Sequence, residues 1–433
     1  MSIYDKASLV QIPSGVKSGT LYNVLPNTAD GDFDFTRGSS ATRVDKNGLI
    51  ETIATGTPRL DYPLLDGVVQ DCPTLLLEPA RTNSIPYSED FDNAAWTKDR
   101  LSITSNSIIS PDGTLNASKL TENTENGTHR ILDTILVSGT NVTYTQSVFA
   151  KSGGSGRYLR MFRGSGTYNN AVFDLENGTV VTQAGSRIIN TSIENYGNGW
   201  YRCISTYTTQ FSNIATYYGL QNDNTDSYQG DGTSHIYLWG AQLEEGSYPT
   251  SYIPSLTGSQ TTRSADVCNG AGTAADFNDS EGVLYANIAA LDDAETNNRR
   301  LGLTKNNTFE GLRIQYDNST IGAVLYDGST NQYSRTFTFN DLSLFAKVAF
   351  KYKASDFALW INGFEYGAQA SGTTLTDGTL DDLSFDYVNG NFFRGKTKEV
   401  IVFNEALSDT DLEELTSWTS FNEMATEQLY TIE

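Results

Sequence analysis

Between Tyr144 and Trp239 the chain falls into short runs in which apolar and polar residues alternate, and that period of two constrains the fold more than any other feature. The runs are Tyr144-Thr-Gln-Ser-Val-Phe-Ala, Arg157-Tyr-Leu-Arg-Met-Phe, Asn170-Ala-Val-Phe-Asp-Leu, Trp200-Tyr-Arg-Cys-Ile-Ser and His235-Ile-Tyr-Leu-Trp. Successive strand side chains point to opposite faces, so each run offers one apolar face to a core. Turn residues fill the gaps, with Asn177-Gly178 leading into Thr179-Val180-Val181. Short strands at this spacing predict a β-sandwich over residues 81–256. It ends in Tyr248-Pro-Thr-Ser-Tyr-Ile-Pro254, where two prolines break any ladder.

The remainder reads the same way. With 433 residues the chain is long enough for two or three folded units. Its 24 Tyr, 20 Phe and 38 Gly against 3 Met and 2 His favour strands and tight turns over packed helices. Residues 257–280 are small and polar, as a linker or an extended crossing strand is. A second strand-rich unit covers 281–420, with Phe357-Ala-Leu-Trp-Ile, the turn Asn362-Gly363 and Phe364-Glu-Tyr forming a hairpin, and Lys398-Glu-Val-Ile-Val-Phe403 a closing strand. Ser408, three residues before Asp411 and followed by Leu412 and Leu415, predicts an N-capped short helix. Residues 421–433 form a tail with no clear pattern, and no repeat of fixed period is present.

Residues 1–80 differ. Their apolar pieces, Leu49-Ile50 and Leu75-Leu76-Leu77, are too small to close a core, so this extended region is expected to pack on something else. Asn47-Gly48, between strand-like pieces from Val44 to Ile53, predicts a hairpin with positive φ at both central residues. The expected fold is all-β: two β-sandwich, jelly-roll domains preceded by an extended N-terminal region.

Charge narrows the partners. With 29 Lys plus Arg against 52 Asp plus Glu the net charge is −23, which repels phosphate backbones and anionic headgroups, so neither nucleic acid nor membrane insertion is expected. The N-terminal MSIYDKASLVQIPSG has no basic start before a long apolar core, and no window approaches the ~18 apolar residues of a membrane span. Synthesis in a reducing cytoplasm and a soluble product are expected. Cys72, Cys203 and Cys268 are odd in number and widely spaced, so free buried thiols are expected rather than disulfides or a zinc site.

Several phrases carry a resemblance. They are Arg37-Gly-Ser-Ser-Ala-Thr-Arg-Val-Asp-Lys-Asn-Gly-Leu-Ile-Glu51, Pro58-Arg-Leu-Asp-Tyr62, Leu75-Leu-Leu-Glu-Pro-Ala-Arg-Thr-Asn83, Tyr87-Ser-Glu-Asp-Phe-Asp-Asn-Ala-Ala-Trp-Thr-Lys98 and Trp239-Gly-Ala-Gln-Leu-Glu-Glu-Gly246, with Asn198-Gly-Trp-Tyr-Arg202 fitting the same pattern. In this order they resemble a family of tailed-bacteriophage virion proteins, over about residues 30–260. The second unit resembles concanavalin-like, laminin-G type sandwiches through Ala358-Leu-Trp-Ile-Asn-Gly363 and Gly395-Lys-Thr-Lys-Glu-Val-Ile-Val-Phe-Asn-Glu-Ala-Leu-Ser408. The resemblance implies head fibres, tail fibres or related appendages on the virion surface. It also implies homotrimers, attachment to other virion proteins through the N-terminal region, and carbohydrate-binding sandwich modules.

Candidate chemistry is weighed against plainer roles. A retaining glycosidase needs two carboxylates ~5 Å apart, and concanavalin-like ones carry a Glu-x-Asp-x-Glu type run. The nearest run here, Glu89-Asp-Phe-Asp92, lies in the other unit, so no catalytic residue is assigned and no enzyme is expected. Glu89, Asp90 and Asp92, and separately Asp223, Asp226 and Asp231, are hard oxygen donors suited to calcium, although carboxylates in such loops usually form solvated turns. Tyr168, Tyr228, Tyr326 and Tyr333 lie in Asn/Gly-rich stretches and are candidates for stacking on sugars, although such residues more often pack their own loops. Trp200, Trp239 and Trp360 sit inside strand runs and are expected to pack in cores. The expected function is a structural virion protein that contacts host-surface glycans. The alternatives are a glycan depolymerase and a passive decoration protein.

Overall fold

The computed structural model describes residues 3–420 and 423–424, apart from residues 14, 18–19, 164–168, 224, 293–298, 306–307 and 388–389. Nearly all of its regular structure is antiparallel β-strand. The N-terminal region supplies β1 (Ala7–Gln11), β2 (Arg59–Asp61) and β3 (Thr74–Leu77).

The first sandwich follows. Its strands are β4 (Thr97–Asp99), β5 (Leu101–Ile109), β6 (Leu115–Glu122), β7 (His129–Leu136), β8 (Thr143–Ser152) and β9 (Arg157–Arg163). They continue as β10 (Asn169–Asp174), β11 (Thr179–Ala184), β12 (Ile188–Asn195), β13 (Trp200–Thr208), β14 (Asn213–Asn222) and β15 (His235–Glu245). One six-stranded sheet runs β4-β7-β14-β9-β10-β11 and the other β5-β6-β15-β8-β13-β12. Alternation places Val148 and Ala150, Leu159 and Met161, Cys203 and Tyr207, and Tyr218 and Leu220 in the core between them. The β10–β11 turn takes positive φ at Gly178 alone, and the Asp174 carboxylate accepts the backbone N–H groups of Glu176 and Asn177 at 2.9 and 3.1 Å.

Trp200 and Trp239 are buried as expected, but outside this core. With Phe149 they lie on the outer face of the second sheet, packed with Tyr252 and Ile50. Ile50 belongs to an N-terminal hairpin in which Ala41–Val44 pairs with Ile50–Ile53. Its turn departs from the expected two-residue geometry, because Asp45 accepts the N–H groups of Asn47 and Leu49 and only Gly48 has positive φ.

The second sandwich comprises β16 (Glu281–Ala290), β17 (Arg299–Thr304), β18 (Gly311–Asp317), β19 (Thr320–Asp327), β20 (Thr330–Thr338) and β21 (Ala346–Lys353). It is completed by β22 (Ala358–Ile361), β23 (Phe364–Glu365), β24 (Asp382–Ser384), β25 (Gly395–Phe403) and helix α1 (Asp409–Thr416). Its five-stranded sheet runs β20-β19-β18-β17-β24, facing an eight-stranded sheet of order β23-β22-β21-β16-β25-β3-β2 with β1 also on β25. Asn362 and Gly363 both take positive φ in the β22–β23 hairpin, as their sequence requires. The Ser408 hydroxyl accepts the Asp411 N–H at 3.2 Å to cap α1, whose Leu412 and Leu415 cover Trp360 on the outer face of the large sheet.

The N-terminal region is therefore not an extended arm. β1 pairs with Val400–Phe403 and β3 with Gly395–Thr397, so both lie along one edge of β25. Leu9, Leu21, Phe33, Phe35, Leu75 and Leu77 enter the second sandwich's core beside Leu284, Leu312 and Val402. The region was expected to pack on something else, and its apolar side chains find that cover within the same chain. The stretch 257–280 is tied down too, through Thr261–Arg263 on Arg81–Asn83 and Val267–Asn269 on Asp34–Thr36. Cys203 and Cys268 are buried free thiols, whereas Cys72, expected to be buried, is exposed.

A buried ionic joint holds these pieces together. Arg59 pairs with Glu78 at 2.6 Å and with Asp266, Arg263 pairs with Glu78 at 2.6 Å, and Arg37 with Asp266 at 3.1 Å. The Ser251 N–H and hydroxyl each donate to Glu78 at 2.7 Å, and Arg394 donates to the Asp266 carbonyl. Burial alone raises the Glu78 pKa, but Arg263 and Arg59 hold its carboxyl well below the usual carboxylate range. Other parts of the recurring phrases make similar joints. The Asn83 amide donates to the Ala241 and Ile253 carbonyls, and the Trp96 indole to the Tyr87 carbonyl.

Candidate functional site

The structure separates most of the predicted site residues. Tyr168 lies outside the described residues. Tyr228 is buried rather than displayed: its hydroxyl donates to Glu122 at 2.6 Å, and Arg157, doubly bonded to the same carboxylate, lies 5.1 Å from its ring. Tyr333 is a core residue, with ring centroids 4.9 Å from Phe350 and 5.6 Å from Phe357 and its hydroxyl donating to the Gly367 carbonyl. Tyr333→Ala is expected to cost about 3–5 kcal/mol in chemical denaturation, as large-to-small core changes do, without touching any sugar contact. Of the three described candidates only Tyr326 keeps a half-exposed ring, on the outer face of the five-stranded sheet.

The calcium candidates do not converge; among the described residues no three of them gather. Five of the six carboxylates are already used locally. Glu89 accepts from the Tyr252 hydroxyl at 2.9 Å and the Asn116 amide, while Asp90 accepts from the Asn93 amide and Asp92 faces Lys98 at 3.8 Å. Asp226 pairs with Arg160, and Asp231 caps its own turn through Thr233 and Ser234 and reaches Arg157. Asp223 sits at positive φ, its carbonyl taking the Gln221 amide.

A cleft of about 410 Å³ lies between the two sandwiches, within the size range of ligand sites. Its floor is the outer face of β12 and β13, where Asn190, Ser192 and Glu194 alternate opposite Thr206, Ile204 and Arg202. Arg43 and Asp61 of the N-terminal region form one wall, and Asp292, Ser343 and Lys396 of the second sandwich another. The Ser247 hydroxyl donates to Asp292 at 2.6 Å across the gap. Arg202 is fixed by bonds to the Ser147 hydroxyl and Thr250 carbonyl and lies 5.4 Å from the Phe149 ring. Tyr196 meets Phe149 edge-on at 4.8 Å, and burial pushes its phenol pKa up.

No family model and no curated protein matches this chain. Among solved structures it is similar to the carbohydrate-binding module of a Ruminococcus gnavus sialidase bound to α2,3-sialyllactose, at 15% identity and a TM-score of 0.28 over 32% of this chain and 84% of that one. A Trypanosoma rangeli sialidase in complex with sialic acid matches at 10% identity and TM-score 0.26 over 92% and 80% of the two chains. The receptor-binding domain of botulinum neurotoxin C/D mosaic serotype matches at 14% and 0.27 over 35% and 40%. Superpositions this loose transfer no residue of those proteins to this one.

Hydrolysis needs a carboxylic acid held protonated near the scissile bond. Among the described residues the carboxyls pushed upward by burial are Glu89, Asp133 and Glu399, and none of them lines the cleft. Glu78, which does line it, is held strongly ionised by the joint. Sequence reasoning missed the cleft because its walls come from three distant stretches. The one local signal was the alternation of Asn190, Ser192 and Glu194, polar on the face that a sandwich turns outward.

Proposed function

We propose that this chain is a non-catalytic, adhesive structural protein whose cleft between the sandwiches takes a neutral glycan. The observation that carries this is the cleft lining: amide, hydroxyl, carboxylate and guanidinium groups beside the half-buried Tyr196 ring, which suit sugar hydroxyls and the apolar face of a pyranose. The carboxyls raised by burial lying elsewhere supports binding without turnover. A glycan array followed by titration of the hits is the test. Ser192→Trp, which fills the cleft from an outward strand position, is expected to weaken binding at least tenfold while leaving thermal unfolding unchanged. Release of reducing ends from a bound glycan would instead favour the depolymerase, and an array without hits the passive decoration protein.

The place of this adhesin on a phage particle is proposed from the sequence resemblance alone, and imaging of labelled intact particles tests it. A homotrimer is part of that proposal. Because the strands of residues 1–80 are already buried within the chain, its contacts would fall on other surfaces. The solution mass decides it.

A further inference from the structure

Arg300 on β17 and Arg313 on β18 project from the outer face of the five-stranded sheet, one residue pair apart in the ladder, since Arg300 lies opposite Gln315 and Arg313 opposite Gly302. Arg313 is 6% exposed and its Nη1 is buried with no hydrogen-bond partner; Arg300 is partly exposed and its Nε is likewise unpartnered. Among the described residues neither makes an ion pair with Asp or Glu. Three other buried guanidiniums of this acidic chain, Arg37, Arg59 and Arg263, are matched to carboxylates, and Arg202 is held by a hydroxyl and a carbonyl. Here instead two like charges adjoin, and burial together with Arg313 lowers the Arg300 pKa.

Aromatic rings hold Arg313 in place, Tyr387 at 4.8 Å and Tyr326 at 5.5 Å, and its Nε donates to the Gln315 side chain at 3.0 Å. A desolvated guanidinium without an ion-paired carboxylate is costly, and a like-charged neighbour makes it more so. An arrangement fixed in that state is complementary to an oxyanion, because a guanidinium fork matches carboxylate geometry in two parallel bonds. Beside the pair lie the half-exposed Tyr326 ring, which can stack on a sugar, and the Gln315 amide, which can meet its hydroxyls.

We propose that Arg300 and Arg313 bind the carboxylate of an acidic saccharide whose ring rests on Tyr326. The saccharide part of this assignment rests on the adhesive reading above, whereas the anion site stands on the arginine pair itself.

The test is calorimetric titration of the full chain with a hexuronic acid trisaccharide, its neutral hexose counterpart and a sulfated hexose trisaccharide. The acidic sugar is expected to bind, more weakly as salt rises, and the neutral one to bind here not at all. Arg300→Gln is expected to weaken the uronate at least tenfold while its Tm stays level or rises, since the substitution removes a like-charge contact. Tyr326→Ala is expected to weaken it too. Tm separates this role from a structural one, because an arginine that merely braced the sheet would lower Tm when replaced. In the chain whose cleft is filled by Ser192→Trp, uronate binding that persists on adding Arg300→Gln, equal binding of the neutral sugar, preference for the sulfated sugar, or no uronate binding would each overturn the proposal. Uronate binding retained in a chain whose cleft is filled by Ser192→Trp sustains it even if the cleft reading fails.

Discussion

Glu78→Ala is expected to destabilise the protein by about 3–5 kcal/mol, the cost of breaking a buried pair from one side. Arg59 and Arg263 both rely on this carboxylate at 2.6 Å, and its removal leaves them and Arg37 to share Asp266 while buried. Glu78→Gln keeps the shape and the Ser251 bonds and is expected to fall between the parent and the alanine variant. The same group sets an acid limit. Its pKa in the folded chain lies well below the ordinary glutamate value of about 4.5, so its contribution is fully present above about that pH and is lost as pH falls toward the folded value. Thermal unfolding followed by circular dichroism should show the parent losing stability steadily below pH 4.5, with a shallower loss in Glu78→Gln. Equal slopes for the two would assign the acid sensitivity to other carboxylates.

How much of this was legible in the sequence depends on whether a residue acts on its neighbours or across the chain. The strand runs of the first sandwich, the Asn362-Gly363 turn and the Ser408 cap are local devices, readable from a few adjacent residues, and the structure contains them. Asn177-Gly178 was read as a turn and is one, whereas Asn47-Gly48 was read for the right hairpin but the wrong turn, because Asp45 bonds the loop backbone and relieves the asparagine of positive φ. Loop composition misplaced Tyr228 and Tyr333. Each has a distant anchor, Glu122 for one and the Gly367 carbonyl for the other, that no local pattern announces. The phrases resembling a virion family were visible as motifs, yet their charged residues Arg37, Arg59 and Glu78 form a joint whose remaining members, Arg263 and Asp266, lie nearly two hundred positions away. A motif shared for joinery identifies an architecture and leaves the ligand open. The pair Arg300 and Arg313 was equally hidden, since what marks it is an unpartnered buried donor on each guanidinium beside a like-charged neighbour on the next strand, which sequence does not display.

A chain from which residues 1–80 have been removed is expected to keep a folded first sandwich and to lose the second. An arm that served only for attachment would come away cleanly, and the pairing of β1 and β3 with β25 excludes that outcome. Six large apolar side chains leave the second core with the arm: Leu9, Leu21, Phe33, Phe35, Leu75 and Leu77. At about 1.5–3 kcal/mol each they amount to roughly 9–18 kcal/mol, as much as the whole stability of an ordinary domain. The strand left behind, β25, then presents an open row of N–H and C=O groups along its entire length, a template for association with other chains. The first sandwich loses much less: of its outer cluster only Ile50 departs, and the core between its own sheets takes nothing from the arm. Limited proteolysis of the shortened chain should therefore leave a resistant fragment spanning about residues 81–256, with everything beyond it degraded or aggregated. Supplying residues 1–80 as a separate polypeptide during refolding should restore protection to 281–420, because the missing strands add to an edge already shaped to receive them. Protection of both sandwiches in the shortened chain would show that the arm's contacts are dispensable, and would return it to the role of a tether.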